Sequence, residues 1–100
     1  MSAAVAKLTE DEIARALRDL PGWSVKAGAL TKIYEHKSFP EAIVFVSAVG
    51  HLAEIANHHP DIDIRYSNIT LALVTHDQGG ITEKDVQLAR RVEGIRRKPA

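Results

Sequence analysis

Residues 38 to 76 read SFPEAIVFVSAVGHLAEIANHHPDIDIRYSNITLALVTH, and the hydrophobic period changes within them from that of a helix to that of a strand. Ser38 suits a helix N-cap and Pro40 the first turn, and apolar residues then recur at helical spacing. Pro60 cannot continue a helix, and alternating residues follow it. The segment therefore predicts a long helix that leads into paired strands.

Alternating apolar residues predict two β-hairpins. The run WSVKAGALTKIYEHK alternates around a central glycine, which favours a turn at Ala27–Ala29 and a first strand that begins at Trp23. In the second hairpin, DIRY and ITLALVTH are separated by Ser67 and Asn68, residues that suit a tight turn. Each hairpin comes directly before or after the long helix.

Two further helices are indicated by their N-terminal signals. Thr9 and Glu12 have the spacing of a capping box, which predicts a helix over Glu10–Asp19. Thr82 with Asp85 opens a third helix after the loop DQGGIT. The order αββαββα predicts an α+β two-layer sandwich, in which three helices cover one face of a four-stranded antiparallel sheet.

Composition limits the kinds of protein that the chain can be. Its 100 residues suit a single domain over residues 1–100, and 13 basic residues balance 13 acidic ones. A neutral chain gives no reason to expect binding to nucleic acid or to an anionic membrane. The absence of cysteine excludes disulfides and thiolate chemistry. Without a signal-peptide pattern at the N-terminus, we expect a cytoplasmic protein.

The adjacent histidines before Pro60 are the first candidates for chemistry. Glu54 precedes His58 by one helical turn, so it could orient that ring, while His59 points away. His76 ends the last strand before a glycine loop, where functional side chains tend to gather. Imidazole exchanges protons near neutral pH. Histidines at a helix end can equally serve only to complement the helix dipole.

Other kinds of site are less well supported by the sequence. Three histidines could bind zinc, but neighbouring histidines diverge on a helix and lack the usual chelating spacing. Ser47 and Ser67 lack the context of a nucleophile elbow. Gly79 and Gly80 lack the pattern of a phosphate loop, which favours a turn.

The histidines are part of a longer pattern that resembles the pterin-4a-carbinolamine dehydratase family. The pattern consists of Glu54, His58-His59-Pro60, Tyr66, His76 and Asp85 in this order and spacing. The stretches LPGW and GGITEKD, residues 20–23 and 79–85, are also similar to family stretches. The resemblance covers nearly the whole chain.

The resemblance implies a fold of αββαββα type and an activity. Family members remove water from 4a-hydroxytetrahydropterin, the carbinolamine left by an aromatic amino acid hydroxylase, and form a quinonoid dihydropterin. They are homodimers or homotetramers, and they need no metal or organic cofactor. The implied ligand of this chain is therefore a small pterin.

Residue roles follow from the same resemblance. His58 and His76 would be the catalytic acid and base, in either order, and His59 would hold the pterin as a third catalytic histidine. Glu54 would orient His58. Groups offered to the pterin would come from Asn57, Val74 and Thr75. Asp85 fits a helix cap and a site residue equally well.

Two positions depart from the animal members of the family. Ile62 stands where they carry an aromatic residue, and Asn57 where they carry an aspartate. Pocket polarity and the preferred pterin side chain are therefore open. Two alternatives also remain: a non-catalytic pterin-binding or dimerisation module of the kind that acts as a transcription coactivator, and action on a molybdopterin-type pterin.

Overall fold

A computed structural model of the chain describes residues 5–96. The helices and strands follow one another in the predicted order. They are α1 Glu10–Leu17, β1 Ser24–Lys26, β2 Ala29–Glu35, α2 Phe39–Ala56, β3 Asp61–Arg65, β4 Asn68–Leu73 and α3 Glu83–Arg96, with a short 3₁₀ turn at His76–Gln78 before α3. The order αββαββα is thereby confirmed.

The four strands form one antiparallel sheet in the order β1-β2-β4-β3. Cross-strand partners such as Leu30 and Leu73, or Ile62 and Leu71, point to the same face. Along β2 and β4 every second side chain lies on this face and is buried or half-buried, while β3 forms an exposed edge. The α+β fold with a four-stranded antiparallel sheet is confirmed.

One contiguous hydrophobic core lies between the sheet and the helices. Helix α2 supplies four of its residues, Ala42, Phe45, Val49 and Ala53, all at most 4% exposed. Ile13 and Leu17 of α1 pack against the core from outside. Ser38 and Pro40 fix where α2 starts, and the helical spacing of its four buried residues places them on the face that meets the sheet.

Helix α2 is also apolar on its outer side. Its 18 residues have a mean hydropathy of 1.4, so by length and composition alone it could cross a membrane. The core helix of a soluble protein meets the same criteria, and α2 contributes to the core described above. Large apolar side chains that stay exposed on it are Phe39, Ile43, Val44 and Ile55.

Helix ends follow local hydrogen bonds. The capping box of Thr9 and Glu12 is present in both directions, as predicted. The predicted end of this helix at Asp19 is wrong by two residues, because α1 ends at Leu17. Residues 18 to 20 instead bond to carbonyls three residues earlier, so the last turn tightens.

The first predicted turn is one residue too long, and the second is shifted by one residue. The first turn is Ala27 and Gly28, both with positive φ, and Trp23 lies in the core before β1. The second turn uses Tyr66 and Ser67, while the predicted turn residue Asn68 already belongs to β4. Tyr66 has a φ of 53° and is 73% exposed, and its ring stacks on Phe39 at a centroid distance of 6.5 Å.

A partly buried carboxylate ties α3 to the sheet. Glu93 accepts hydrogen bonds from the amine of Lys32 at 2.7 Å, from the indole of Trp23 at 3.2 Å and from the hydroxyl of Tyr34. Burial disfavours the charged carboxylate, but the three donors outweigh it and hold the pKa of Glu93 below its ordinary value of 4.5. The ionised Glu93 therefore stabilises the fold.

We expect Glu93→Gln to lower the free energy of unfolding at pH 7 by about 2 kcal/mol, the size of a lost charge-assisted hydrogen bond. Since the pKa of Glu93 is lowered on folding, its contribution is present above the unfolded pKa and is lost as pH falls through the folded pKa. Urea unfolding of the variant and the wild type at pH 7 and at pH 3 gives the difference in free energy of unfolding at each pH.

The matched control is Asp63→Asn, which removes the exposed ion pair with Arg65. This variant should change the free energy of unfolding by less than about 0.5 kcal/mol. A Glu93→Gln difference that is as large at pH 3 as at pH 7 would contradict the assignment of this stability to the ionised carboxylate.

Candidate active site

The candidate site begins where α2 ends. Asn57 adopts the left-handed conformation, with φ 50° and ψ 42°. The amide of Asn57 donates to the carbonyl of Glu54, and the amide of His58 donates to the carbonyl of Ala53, both at 3.1 Å. These two bonds define a Schellman motif, which asparagine tolerates better than most residues. The chain therefore leaves the helix at Asn57, and His58 lies off the helical surface.

His58 turns inward onto Asp85. Nε2 of His58 lies 2.5 Å from Oδ1 of Asp85, and the two side chains are 12% and 0% exposed. An ionised carboxylate can only accept, so the bond places the ring proton on Nε2 of neutral His58. Nδ1 then carries a lone pair and has no hydrogen-bond partner among residues 5–96. This nitrogen is available to exchange a proton with a ligand.

Asp85 is held from two other segments. Its Oδ2 accepts from the hydroxyl of Thr75 and from the backbone amide of Thr82, each at 2.8 Å. The Thr75 hydroxyl has donated its proton, so at 2.7 Å it accepts from the Thr82 hydroxyl. Asp85 is thus both the cap of α3 and the hydrogen-bond partner of His58.

Glu54 does not orient His58, and this prediction is wrong. It accepts instead from Nε2 of His59 at 3.0 Å, with side chains that are 82% and 59% exposed. The prediction assumed helical spacing as far as His58, whereas the left-handed Asn57 breaks that spacing. The site therefore contains two histidine–carboxylate pairs, one buried and one exposed.

His76 lies at the same corner of the molecule. It follows Thr75 directly, and Thr75 is connected to His58 through the carboxylate of Asp85. The 3₁₀ turn that begins with His76 closes at Gly79, and the amide of Thr75 bonds to the carbonyl of Gly80 at 3.0 Å. The His76 side chain is exposed, and that of Val74, two residues earlier, is half-buried.

Within residues 5–96, no three histidine, aspartate or glutamate side chains are grouped to hold a metal ion. Thr82 is a residue of the site that sequence reasoning recognised only as a helix start. The sequence signal for Thr82 is the TEKD pattern. In a capping box the Asp85 carboxylate accepts from the amide of Thr82, which places both residues at the start of α3.

The sequence of the whole described fold matches a known family. The sequence profile of "Pterin 4 alpha carbinolamine dehydratase" matches residues 6–95. A relative from Chloroflexus aurantiacus, provisionally named a pterin-4-alpha-carbinolamine dehydratase, is 49% identical over 89% of this chain and 96% of its own length. A relative from Thermomicrobium roseum with the same provisional name is 49% identical over 88% and 95%.

Solved structures agree with this assignment. The crystal structure of a transcriptional coactivator/pterin dehydratase from Brucella melitensis superposes with a TM-score of 0.85 at 35% identity, over 89% of this chain and 97% of that one. A pterin dehydratase-like RuBisCO assembly factor of the α-carboxysome has a TM-score of 0.60 at 23% identity, over 73% and 84%, and shares the fold. The chain belongs to the pterin-4a-carbinolamine dehydratase family, as the resemblance in its sequence predicted.

The two histidine–carboxylate pairs allow a matched comparison. We expect Asp85→Asn to lower the free energy of unfolding by about 2 kcal/mol, because the amide cannot accept all the bonds that converge on the buried carboxylate. Glu54→Gln, in the exposed pair, should change it by less than about 0.5 kcal/mol. Urea denaturation of both variants beside the wild type decides this, and equal effects would contradict the structural role given to Asp85.

Proposed function

We propose that the protein dehydrates a 4a-hydroxytetrahydropterin to a quinonoid dihydropterin. In this reaction the C4a–O bond breaks, the leaving hydroxyl takes up one proton, and N5 loses one as the C4a=N5 bond forms. Water leaves, and no electrons enter or depart. The site must therefore supply one acid and one base close together, and imidazole can be either near neutral pH.

The observation that carries the proposal is the buried Asp85 carboxylate on Nε2 of His58. It fixes the tautomer and would stabilise the imidazolium that forms when Nδ1 accepts a proton. This favours His58 as the base for the N5 proton, and His76 at the same corner as the acid for the hydroxyl. Positioned groups of this kind contribute about 10² to 10⁴-fold each.

The remaining candidates would hold the pterin. His59 is exposed and keeps one ring nitrogen on Glu54, so its other nitrogen can face a ligand. The backbone beside His58 and His76, at Asn57 and Val74, offers polar groups to the ring edge. Thr75 would contribute indirectly, because its hydroxyl donates to the Asp85 carboxylate that holds His58. We propose that no metal or organic cofactor takes part.

The cellular role that we propose is the recycling of the pterin cofactor of an aromatic amino acid hydroxylase, in the cytoplasm. Support comes from the family match over residues 6–95 and from two relatives that share its name over nearly their whole length.

We expect His58→Ala combined with His76→Ala to abolish the acceleration of dehydration, since both proton-transfer groups are lost. Each single variant should lose about 10² to 10⁴-fold. Stopped-flow absorbance of freshly generated 4a-hydroxytetrahydropterin, compared with its spontaneous dehydration, gives the rate. His51→Ala is the control, because this exposed histidine lies on α2 away from the site. Turnover that survives in the double variant would contradict the proposed roles.

A second function, as an interaction module, is favoured by the outer face of α2. Val44 and Ile55 are 70% and 72% exposed and lie three helical turns apart on one side of the helix. A surface of this kind on a soluble domain marks a protein contact. The Brucella melitensis relative is described as a transcriptional coactivator as well as a pterin dehydratase. We propose that a homodimer or homotetramer of this chain covers the part of the α2 surface around Val44.

Charge placed on the α2 surface should dissociate such an oligomer. We expect Val44→Lys to reduce the molar mass measured by light scattering after size-exclusion chromatography to that of one chain, because a lysine in an apolar interface is costly to desolvate. Ile33→Lys, on the open face of the sheet and 53% exposed, is the control and should keep the wild-type mass. A Val44→Lys variant of unchanged mass would exclude this surface.

A further inference from the structure

A small groove lies beside His58, between the end of α2 and the outer side of α3. Its volume is about 220 Å³. Ile55 and Leu88 give it apolar walls, and His58, Lys84, Gln87 and Arg91 supply its polar groups. Pockets that take a whole drug-sized ligand are roughly 300–1,000 Å³. The groove is therefore large enough for part of a ligand and not for a whole one.

The groove is cationic in a chain that is neutral as a whole. Lys84 and Arg91 are two helical turns apart, so both side chains lie on one side of α3. Neither has an ion-pair partner within residues 5–96, and no carboxylate lines the groove. Arg90, by contrast, lies on another side of α3 and is 3.8 Å from Glu83.

We propose that this groove binds an anionic group, a phosphate or carboxylate, carried on the side chain of the pterin substrate. This inference rests on the proposed function, since it assumes that the pterin ring contacts His58. The guanidinium of Arg91 can bind such a group through two parallel hydrogen bonds, and Lys84 adds a point charge. The Gln87 amide supplies a neutral donor between them. Lys84 and Arg91 thus determine which pterins are preferred.

The test compares two pterins that differ in charge at C6. Binding of pterin-6-carboxylate and of neutral 6-hydroxymethylpterin is followed by their fluorescence at low and high salt. The wild type should bind the carboxylate about tenfold more tightly at low salt, and salt should reduce this preference. Lys84 and Arg91 are exposed, so both can be replaced without disturbing the core. The double variant Lys84→Gln, Arg91→Gln should lose the preference for the carboxylate, and its binding of the neutral pterin should stay within about twofold of the wild type.

Arg90→Gln is the matched control, because it removes one positive charge from the same helix outside the groove, and it should keep the wild-type preference. Equal binding of the two pterins by the wild type, or an equal loss for both in the double variant, would overturn the inference. Loss of the preference for pterin-6-carboxylate in Arg90→Gln would overturn it too.

Two further measurements separate the possible causes. Inorganic phosphate should compete with pterin-6-carboxylate and not with the neutral pterin. If phosphate binds while the two pterins are indistinguishable, the groove is a site for free anions, and the assignment to a substrate side chain is wrong. Dehydration of a neutral 4a-hydroxytetrahydropterin is assayed separately, so a failure of the proposed catalysis leaves the binding preference measurable.

Discussion

The structure of the site depends on one buried interaction, the bond between Nε2 of His58 and the carboxylate of Asp85. A carboxylate with no exposed surface is tolerated only when donors replace the water that it lost. His58, Thr75 and the amide of Thr82 are these donors. Each comes from a different segment, so the need to satisfy one carboxylate brings the end of α2, the end of β4 and the start of α3 together.

The fold was predictable because its signals are local. A capping box at Thr9, an N-cap at Ser38 and alternation within each hairpin act over a few residues, and each gave its element correctly. The shifts arose where backbone conformation overrides residue preference. Tyr66 adopts positive φ in the second turn although tyrosine rarely does so, and its ring stacks on Phe39. That partner is distant in sequence and could not be inferred from the turn.

The candidate residues could be named from the sequence, and their hydrogen bonds could not. The histidines could be named because their spacing resembles a family pattern. Their partners depend on a single left-handed residue, Asn57, which cancels the rule that residues four apart share a helix face. The correct partner of His58 is 27 residues away. Sequence spacing carries no direct information on such a contact, although the helix-start pattern at Thr82 already placed the Asp85 carboxylate.

Helix α3 carries its two important carboxylates toward opposite ends. Asp85 meets the end of α2 and β4, while Glu93 meets Lys32 and Tyr34 of β2. Between them α3 contacts the core only through apolar side chains, and apolar packing is not directional, so it would tolerate small rotations or shifts of the helix. Hydrogen bonds depend on distance and angle, and two sets of them at separate positions along α3 fix its rotation and its height. The position of His58 beside the groove therefore depends on the hydrogen bonds of Glu93 as well as on those of Asp85.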